Sequence, residues 1–378
     1  MDAITFYIDI GTLFDPVYTG VANVNYQIAK WYRTHQRERS RFFRGRQVIH
    51  PAIVDALLER KNGKGLPELF NRGRVSTAML SRSLRETGHT ISVGIFSNVK
   101  MIEGVFDYEA QVMHDITFLL TPEFHQSENI AHHGLTVESN VASSDLLICV
   151  SRHTLEDVAL YLQVPRTKMM VAHLGVDEAP EASPMGDVEP FVLILGTVEP
   201  RKNVGLILDT LRKRPDFLKT WRFVFIGIDG WGQSFDAMLA EAGLAKVGRG
   251  RILRLGYVSE PAKRALLRNA RLLLYPSFYE GFGLPVLEAL QAGCPTIASY
   301  SSSIVEVGGD VVRYVDPHSV KDLEAALEEA RVGQAPWLSS PERLKARAAG
   351  FTWDKFCSSI HGRIVADLSG ARWPEACS

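Results

Sequence analysis

The sequence has little cysteine, no long apolar run and almost no net charge, and each lack removes a class of protein. Its four cysteines, Cys149, Cys294, Cys357 and Cys377, form neither a C-x-x-C pair nor a Cys/His array with zinc spacing. A disulfide-stapled scaffold is excluded, and the thiols read as reduced core or surface groups. No uninterrupted apolar stretch approaches the roughly 18 residues that a membrane span requires. The N-terminus, Met1-Asp2-Ala3-Ile4-Thr5-Phe6-Tyr7-Ile8-Asp9, is acidic where a secretory signal needs a basic segment, so it reads as a first strand and the expected location is cytoplasmic. With 42 Lys+Arg against 43 Asp+Glu, the formal charge of −1 creates no global field that would gather nucleic acid. No internal repeat stands out. There is no Asp-x-Asp pair and no His/carboxylate cluster with ligand spacing, so no metal and no resident cofactor is expected. Gly227-Ile228-Asp229-Gly230-Trp231-Gly232 has the wrong spacing for a dinucleotide fingerprint, which disfavours an oxidoreductase.

What is present is a globular composition, 46% hydrophobic and 22% charged, in 378 residues; at roughly 150 residues per domain the length implies two domains. Short apolar runs alternate with helical patterns in both halves, the signature of βα units with parallel sheets. Strands are expected at Ala3–Asp9, Ile91–Ser97, Gln111–Met113, Asp145–Val150 and Lys168–Ala172, then at Phe191–Gly196, Arg222–Gly227, Arg251–Gly256, Arg271–Tyr275 and Pro295–Ser299. Between 177 and 190 three prolines and several acidic residues interrupt all periodicity, marking a linker. The expected division is an N-terminal domain over 1–180, a second over 181–350, and a final helix over 351–378. Trp353, Phe356, Ile360 and Ile364 give that helix an apolar stripe that needs a surface to cover.

The most informative stretch is Tyr275-Pro276-Ser277-Phe278-Tyr279-Glu280-Gly281-Phe282-Gly283-Leu284-Pro285-Val286-Leu287-Glu288. A strand runs into a glycine-containing loop, Pro285 falls where a first helical turn would be, and Gly293 follows at the stop. A helix N-terminus fed by such a loop offers backbone N–H groups and a positive dipole end to a phosphate or diphosphate. Glu280 and Glu288 flank that anion site and can accept hydroxyl hydrogen bonds from sugars on either side. A second anion site is suggested by Gly196-Thr197-Val198-Glu199-Pro200-Arg201-Lys202-Asn203, where adjacent cations precede a helix expected to be capped by Asn203. In the other half, Met113-His114-Asp115-Ile116 places an imidazole and a carboxylate at a strand end, where parallel sheets expose their ligands. Taken singly, these features also fit an ordinary βα turn, a solvated basic turn and a structural histidine.

Together the stretches resemble the family 4 glycosyltransferases, retaining enzymes of the GT-B fold. Glu280 and Glu288 stand as that family's Glu-x7-Glu motif, and the Gly196–Asn203 run resembles its diphosphate-binding segment. Thr19-Gly20-Val21-Ala22, His114-Asp115, Ser151 and His173-Leu174-Gly175-Val176-Asp177 agree in the expected order. The resemblance implies an α/β protein of GT-B architecture, two Rossmann-like doubly wound domains facing across a cleft, the final helix crossing back to the first. It implies that Glu288 holds the donor ribose, Glu280 the transferred hexose, and Arg201 and Lys202 the diphosphate, with backbone groups of Gly281, Phe282, Gly283 and Leu284. Tyr257 and Val258 would sit beside the base, His114 and Asp115 near the reacting centre, and Gly20 against the donor phosphate. Thr197 is a departure: many relatives carry Arg there, which leaves more of the leaving-group charge to Arg201 and Lys202.

The motif pairing resembles bacterial mannosyl- and rhamnosyltransferases of O-antigen, capsule or exopolysaccharide synthesis. The implied function is hexose transfer from a nucleotide diphosphate sugar, GDP-mannose as first choice, to a saccharide or lipid-linked saccharide, without metal and with retention. UDP-sugar donors, and a nucleotide-sugar epimerase or hydrolase sharing the fold, remain alternatives; a non-catalytic saccharide-binding protein would have little use for both carboxylates and both cations. Trp31 to Arg46 carries six arginines, one acidic residue and four aromatics. That composition suits peripheral contact with an anionic membrane at its inner face, against the competing reading of a solvated helix end and loop.

Overall fold

The computed structural model describes residues 4–15, 19–60, 78–87, 90–177, 189–333, 335, 337–338 and 340–371. Contacts divide the chain into two compact units. Met1–Ile116, Glu128–Gly175 and Trp353–Ser378 form the first; Thr117–Ser127 and Val176–Thr352 form the second. Most of the proline-rich stretch expected as a linker lies outside the described residues. The segment Thr117–Ser127, placed within 1–180 by the sequence reading, clusters with the second unit: Phe124 stacks on Phe278 at 5.0 Å, and Trp231 Nε1 donates to the Phe124 carbonyl at 2.6 Å.

The first unit holds an eight-stranded sheet. Its strands are β1 (Ile4–Asp9), β2 (Ser40–Arg44), β3 (Gln47–Ile49), β4 (Ala78–Met79), β5 (Ile91–Phe96), β6 (Tyr108–Met113), β7 (Leu146–Cys149) and β8 (Met169–Val171), in the order β4-β3-β2-β1-β5-β6-β7-β8. From β2 to β8 the pairing is parallel, but β2–β3 and β3–β4 are antiparallel, an edge that the expected all-parallel pattern lacked. This edge also corrects the reading of Trp31 to Arg46. Phe42 and Phe43 lie on β2, only 3% and 1% exposed, and Tyr32 is fully buried on the inner face of the helix Gly20–His35. Trp31 stacks on His35 and donates to Asp354. Tyr32, Phe42 and Phe43 therefore belong to the protein interior and Trp31 is half-buried, while of the six arginines Arg37, Arg39, Arg44 and Arg46 are exposed. A strand of five residues with arginine near both ends shows too little alternation to be legible.

Thr19 caps the helix Gly20–His35 by accepting from the Ala22 N–H. The closing helix Trp353–Ser369 packs on it and buries Trp353, Phe356, Ile360 and Ile364, the predicted stripe. Tyr108 on β6 donates to Asp367 at 2.6 Å, tying the helix to the sheet.

The second unit is parallel throughout. Its strands are β9 (Phe191–Leu195), β10 (Arg222–Ile226), β11 (Ile252–Gly256), β12 (Leu272–Tyr275), β13 (Thr296–Ser299) and β14 (Arg313–Val315), in the order β11-β10-β9-β12-β13-β14. Val192, Leu193, Leu272, Leu273 and Leu274 are all fully buried, as strands covered on both faces should be. β14 and the helix Val320–Val332 had no counterpart in the sequence reading. The strand order is the 3-2-1-4-5-6 arrangement of doubly wound folds, whose ligands sit beyond the carboxyl ends of the strands where the winding reverses. That point lies between β9 and β12. Among the described residues, no helix is long and apolar enough to cross a membrane.

Candidate active site

β9 and β10 leave the sheet side by side. Gly196 has φ 144°, and its N–H donates to the Ile226 carbonyl at 3.0 Å. Gly227 permits that approach, because a Cβ there would lie 2.0 Å from the Gly196 carbonyl oxygen. Thr197 follows, half-buried, and Pro200–Lys202 then make one tight 3₁₀ turn. Asn203 ends the turn in the left-handed region, φ 55° and ψ 42°. It precedes the helix Val204–Lys213 as expected, but its side chain does not cap it. Nδ2 donates instead to the Pro276 carbonyl at 3.0 Å and the Pro317 carbonyl at 2.7 Å. Left-handed backbone aims the amide away from the helix N–H groups, and the result ties the β9 turn to the β12 loop.

That tie brings Arg201 and Lys202 over Glu280. Lys202 Nζ donates to Glu280 Oε1 at 2.6 Å and to the Tyr275 hydroxyl at 2.9 Å. Arg201 Nη1 donates to Glu280 Oε2 at 2.9 Å and the Tyr279 carbonyl at 2.8 Å, while Nη2 reaches Glu199 Oε1 at 2.8 Å. The loop backbone is pinned as well. The Glu280 N–H donates to Ser302 Oγ, and its carbonyl accepts from Ser302 and Ser303. Glu199 and Glu280 are each 7% exposed, so two carboxylates and two cations share a nearly dry site. Burial by itself would raise the Glu280 carboxyl, but Lys202 and Arg201 outweigh it and hold it at about 2. Burial pushes Lys202 below the usual lysine range despite Glu280, and pushes Glu199 up against the pull of Arg201.

Three residues beyond Glu280, Gly283 takes φ 99° and opens the helix Leu284–Ala292, with Pro285 in its first turn and Gly293 ending it at φ 75°. Gly281 and Gly283 are buried with the loop; Leu284 is half-buried. The Phe282 ring packs on Phe351, so this residue can offer a ligand only its backbone. Glu288 lies one turn along. Burial raises its carboxyl above the usual value, and Lys263, donating to Oε1 at 2.8 Å, works against that rise. Tyr257 is exposed and Val258 half-buried just past the end of β11.

The remaining predicted residues stand in the first unit. His114 follows β6, and its Nε2 meets the Ser97 carbonyl at 2.8 Å. A carbonyl only accepts, so Nε2 carries the hydrogen and the neutral ring keeps its lone pair on Nδ1. Burial lowers the imidazole's pKa and favours that neutral form. Asp115 is half-buried beside it, and Gly20 is the exposed first residue of its helix. The structure thus joins Arg201, Lys202 and Glu280 directly and sets Glu288 one turn into the helix that follows their loop. Sequence reasoning missed the roles of Tyr275 and Glu199, although both lie inside the stretches singled out, and missed Ser302, Ser303 and Lys263, which lie outside them. Among the described residues, no group of three His, Cys, Asp or Glu side chains is placed to hold a metal ion.

Residues 176–349 match the family of glycosyl transferases group 1. The matched stretch is a little under half of the chain. The matched residues coincide with the main segment of the second unit and contain the Arg201–Lys202–Glu280 cluster. The chain is 28% identical over 253 residues to the O-antigen chain mannosyltransferase B of Escherichia coli, across 64% of this chain and 66% of that protein. It is 24% identical over 255 residues to the serotype-specific mannosyltransferase WbdA of Escherichia coli, across 64% of this chain and 31% of that one. The match thus spans just under two thirds of the first relative's length and under a third of the second's. The crystal structure of Anabaena HepE in complex with UDP and glucose superposes with a TM-score of 0.68 at 17% identity, covering 97% of this chain and all of that one. With both units of Rossmann type, the fold is GT-B.

Proposed function

We propose that the protein transfers a hexose, mannose from GDP-mannose as the favoured case, to a saccharide or lipid-linked saccharide acceptor of surface polysaccharide synthesis. The observation that carries this reading is the meeting of Arg201, Lys202 and Glu280 at the winding reversal of the second unit's sheet. In the donor complex, Arg201 and Lys202 hold the diphosphate together with backbone N–H groups at the start of the helix Leu284–Ala292. Glu280 is then released from part of its ion pairing to accept hydroxyls of the hexose, and Glu288 accepts those of the ribose. Cleavage of the glycosyl–phosphate bond puts negative charge on the departing β-phosphate. Fixed cations and a helix N-terminus stabilise that charge without reorganising, so no metal is called for.

Retention at the anomeric carbon belongs to the same reading, with the leaving phosphate taking the acceptor proton. His114, neutral and accepting through Nδ1, contacts the hexose near its 6-hydroxyl and helps position the reacting centre. The names of the Escherichia coli relatives support mannose. The HepE complex with UDP and glucose keeps a UDP-sugar donor as the second reading. Peripheral contact with an anionic membrane would rest on exposed arginines such as Arg37, Arg39, Arg44 and Arg46 without help from the buried aromatics.

The test is calorimetric titration with GDP and UDP in the absence of added metal. Tight GDP binding with negligible UDP binding is the expected result. The reverse moves the donor to a UDP-sugar, and binding of neither by a folded sample overturns the donor site.

A further inference from the structure

Lys263 lies in no motif. It sits on the helix Glu260–Asn269, which Ser259 caps just after the β11 end where Tyr257 and Val258 lie. Its side chain is 16% exposed, and Nζ donates to Glu288 Oε1 at 2.8 Å and Glu260 Oε1 at 3.0 Å. A largely buried ammonium so placed fixes one oxygen of Glu288 and leaves the other to accept. We propose that Lys263 is a positioning residue for nucleotide recognition: it locks the Glu288 carboxylate in the ionised, oriented state that grips the ribose hydroxyls. This rests on the reading of Glu288 as the ribose ligand. It adds a physical link between two parts of the donor site, because the turn that would present Tyr257 and Val258 to the base leads directly into the helix whose Lys263 holds the ribose carboxylate in place.

The charges facing Glu288 support the assignment. Lys263 and Arg264 favour its ionised form, Glu260 opposes it, and burial opposes it most. Lys263 keeps its own charge there, held above the usual lysine value by Glu288 and Glu260 although burial works the other way. Without Lys263, burial and Glu260 would drive Glu288 toward the protonated acid, whose hydroxyl donates and whose accepting capacity falls. The 25-residue separation of the pair and its place on two different helices explain why no sequence pattern showed it.

The experiment titrates the full chain with GDP and 2′-deoxy-GDP between pH 6 and 8, or with UDP and 2′-deoxy-UDP if UDP is the nucleotide that binds. Wild type, Lys263→Met, Lys263→Gln, Lys263→Arg and Glu288→Gln are compared, with thermal unfolding run on each. Wild type should prefer the ribonucleotide, and Glu288→Gln should abolish the preference. Lys263→Met and Lys263→Gln should weaken ribonucleotide binding by about tenfold, leave the deoxy analogue nearly unchanged, and make binding fall as pH is lowered. Lys263→Arg should restore binding and its flat pH profile. If Glu288→Gln loses the preference while folded Lys263→Met and Lys263→Gln keep wild-type preference and pH profile, the proposal fails and the ribose reading stands. If Glu288→Gln leaves the preference intact, the ribose reading fails and takes the proposal with it.

Discussion

Lys202 Nζ and Glu280 Oε1, 78 residues apart in the chain, meet at 2.6 Å and close the turn after β9 onto the loop after β12. Neither side chain is well exposed, at 16% and 8%, so the pair holds its two loops together as well as its charges. On the proposed function, a diphosphate entering the site would find its cations already in position and neutralised by a carboxylate that the hexose hydroxyls then engage.

The pH dependence of stability follows from this pair. Glu280 has a folded pKa of about 2, depressed below its unfolded value, so it stabilises the fold fully above the ordinary carboxylate range near 4.3 and loses that contribution as pH falls toward 2. Urea unfolding at pH 7, 4 and 3 should therefore show wild type and Glu280→Gln converging as the solution is acidified. A constant gap across those pH values would contradict the depressed pKa.

Removing either partner should separate binding from chemistry. Lys202→Met is expected to weaken GDP much more than GMP, because only the diphosphate places charge at its position, with an effect of about 10- to 100-fold in calorimetric affinity. Glu280→Gln should lower transfer by about 100-fold or more. Near-wild-type turnover by folded samples of both variants would remove these residues from the site.

Asn203 offers a test of the scaffold alone. Its amide spans the Pro276 and Pro317 carbonyls from a backbone at φ 55°, so Asn203→Ala loses two buried hydrogen bonds and strains the turn. We expect a loss of about 2 to 4 kcal/mol in denaturant unfolding. Asn203→Gly should recover only the backbone part of that loss.

His114→Ala should lower turnover more than donor affinity, since the ring's Nε2 is already committed to the Ser97 carbonyl and only Nδ1 is left to meet a substrate hydroxyl. Steady-state kinetics beside calorimetry of the nucleotide will show it. An equal loss in both would assign His114 to donor binding.

The legible parts of the fold were those where one short segment carries the whole physical signal. β9, β10 and β12 read as strands because burial on both faces makes each a continuous apolar run. The helix Leu284–Ala292 was visible through Pro285 at its start and Gly293 at its stop. β2 and β3 were not, because five- and three-residue strands at a mixed edge carry no lasting periodicity. Phe42 and Phe43 consequently read as surface aromatics among arginines, when pairing with β1 buries them.

The amino-acid sequence by itself determined the class of the protein, two α/β halves built from βα units, and singled out the two loops from which Arg201, Lys202 and Glu280 come. Glycine at 196 and 283 and proline at 285 act through their own backbone restrictions and need no partner. The tertiary structure alone decided which charges meet. The ion pairs of Glu280 with Lys202 and of Glu288 with Lys263 join residues 78 and 25 positions apart. Their geometry depends on strand order and on the Asn203 tie between loops, and the electrostatic shift of each carboxylate depends on burial. None of these quantities exists until the sheet has closed and water has left the site.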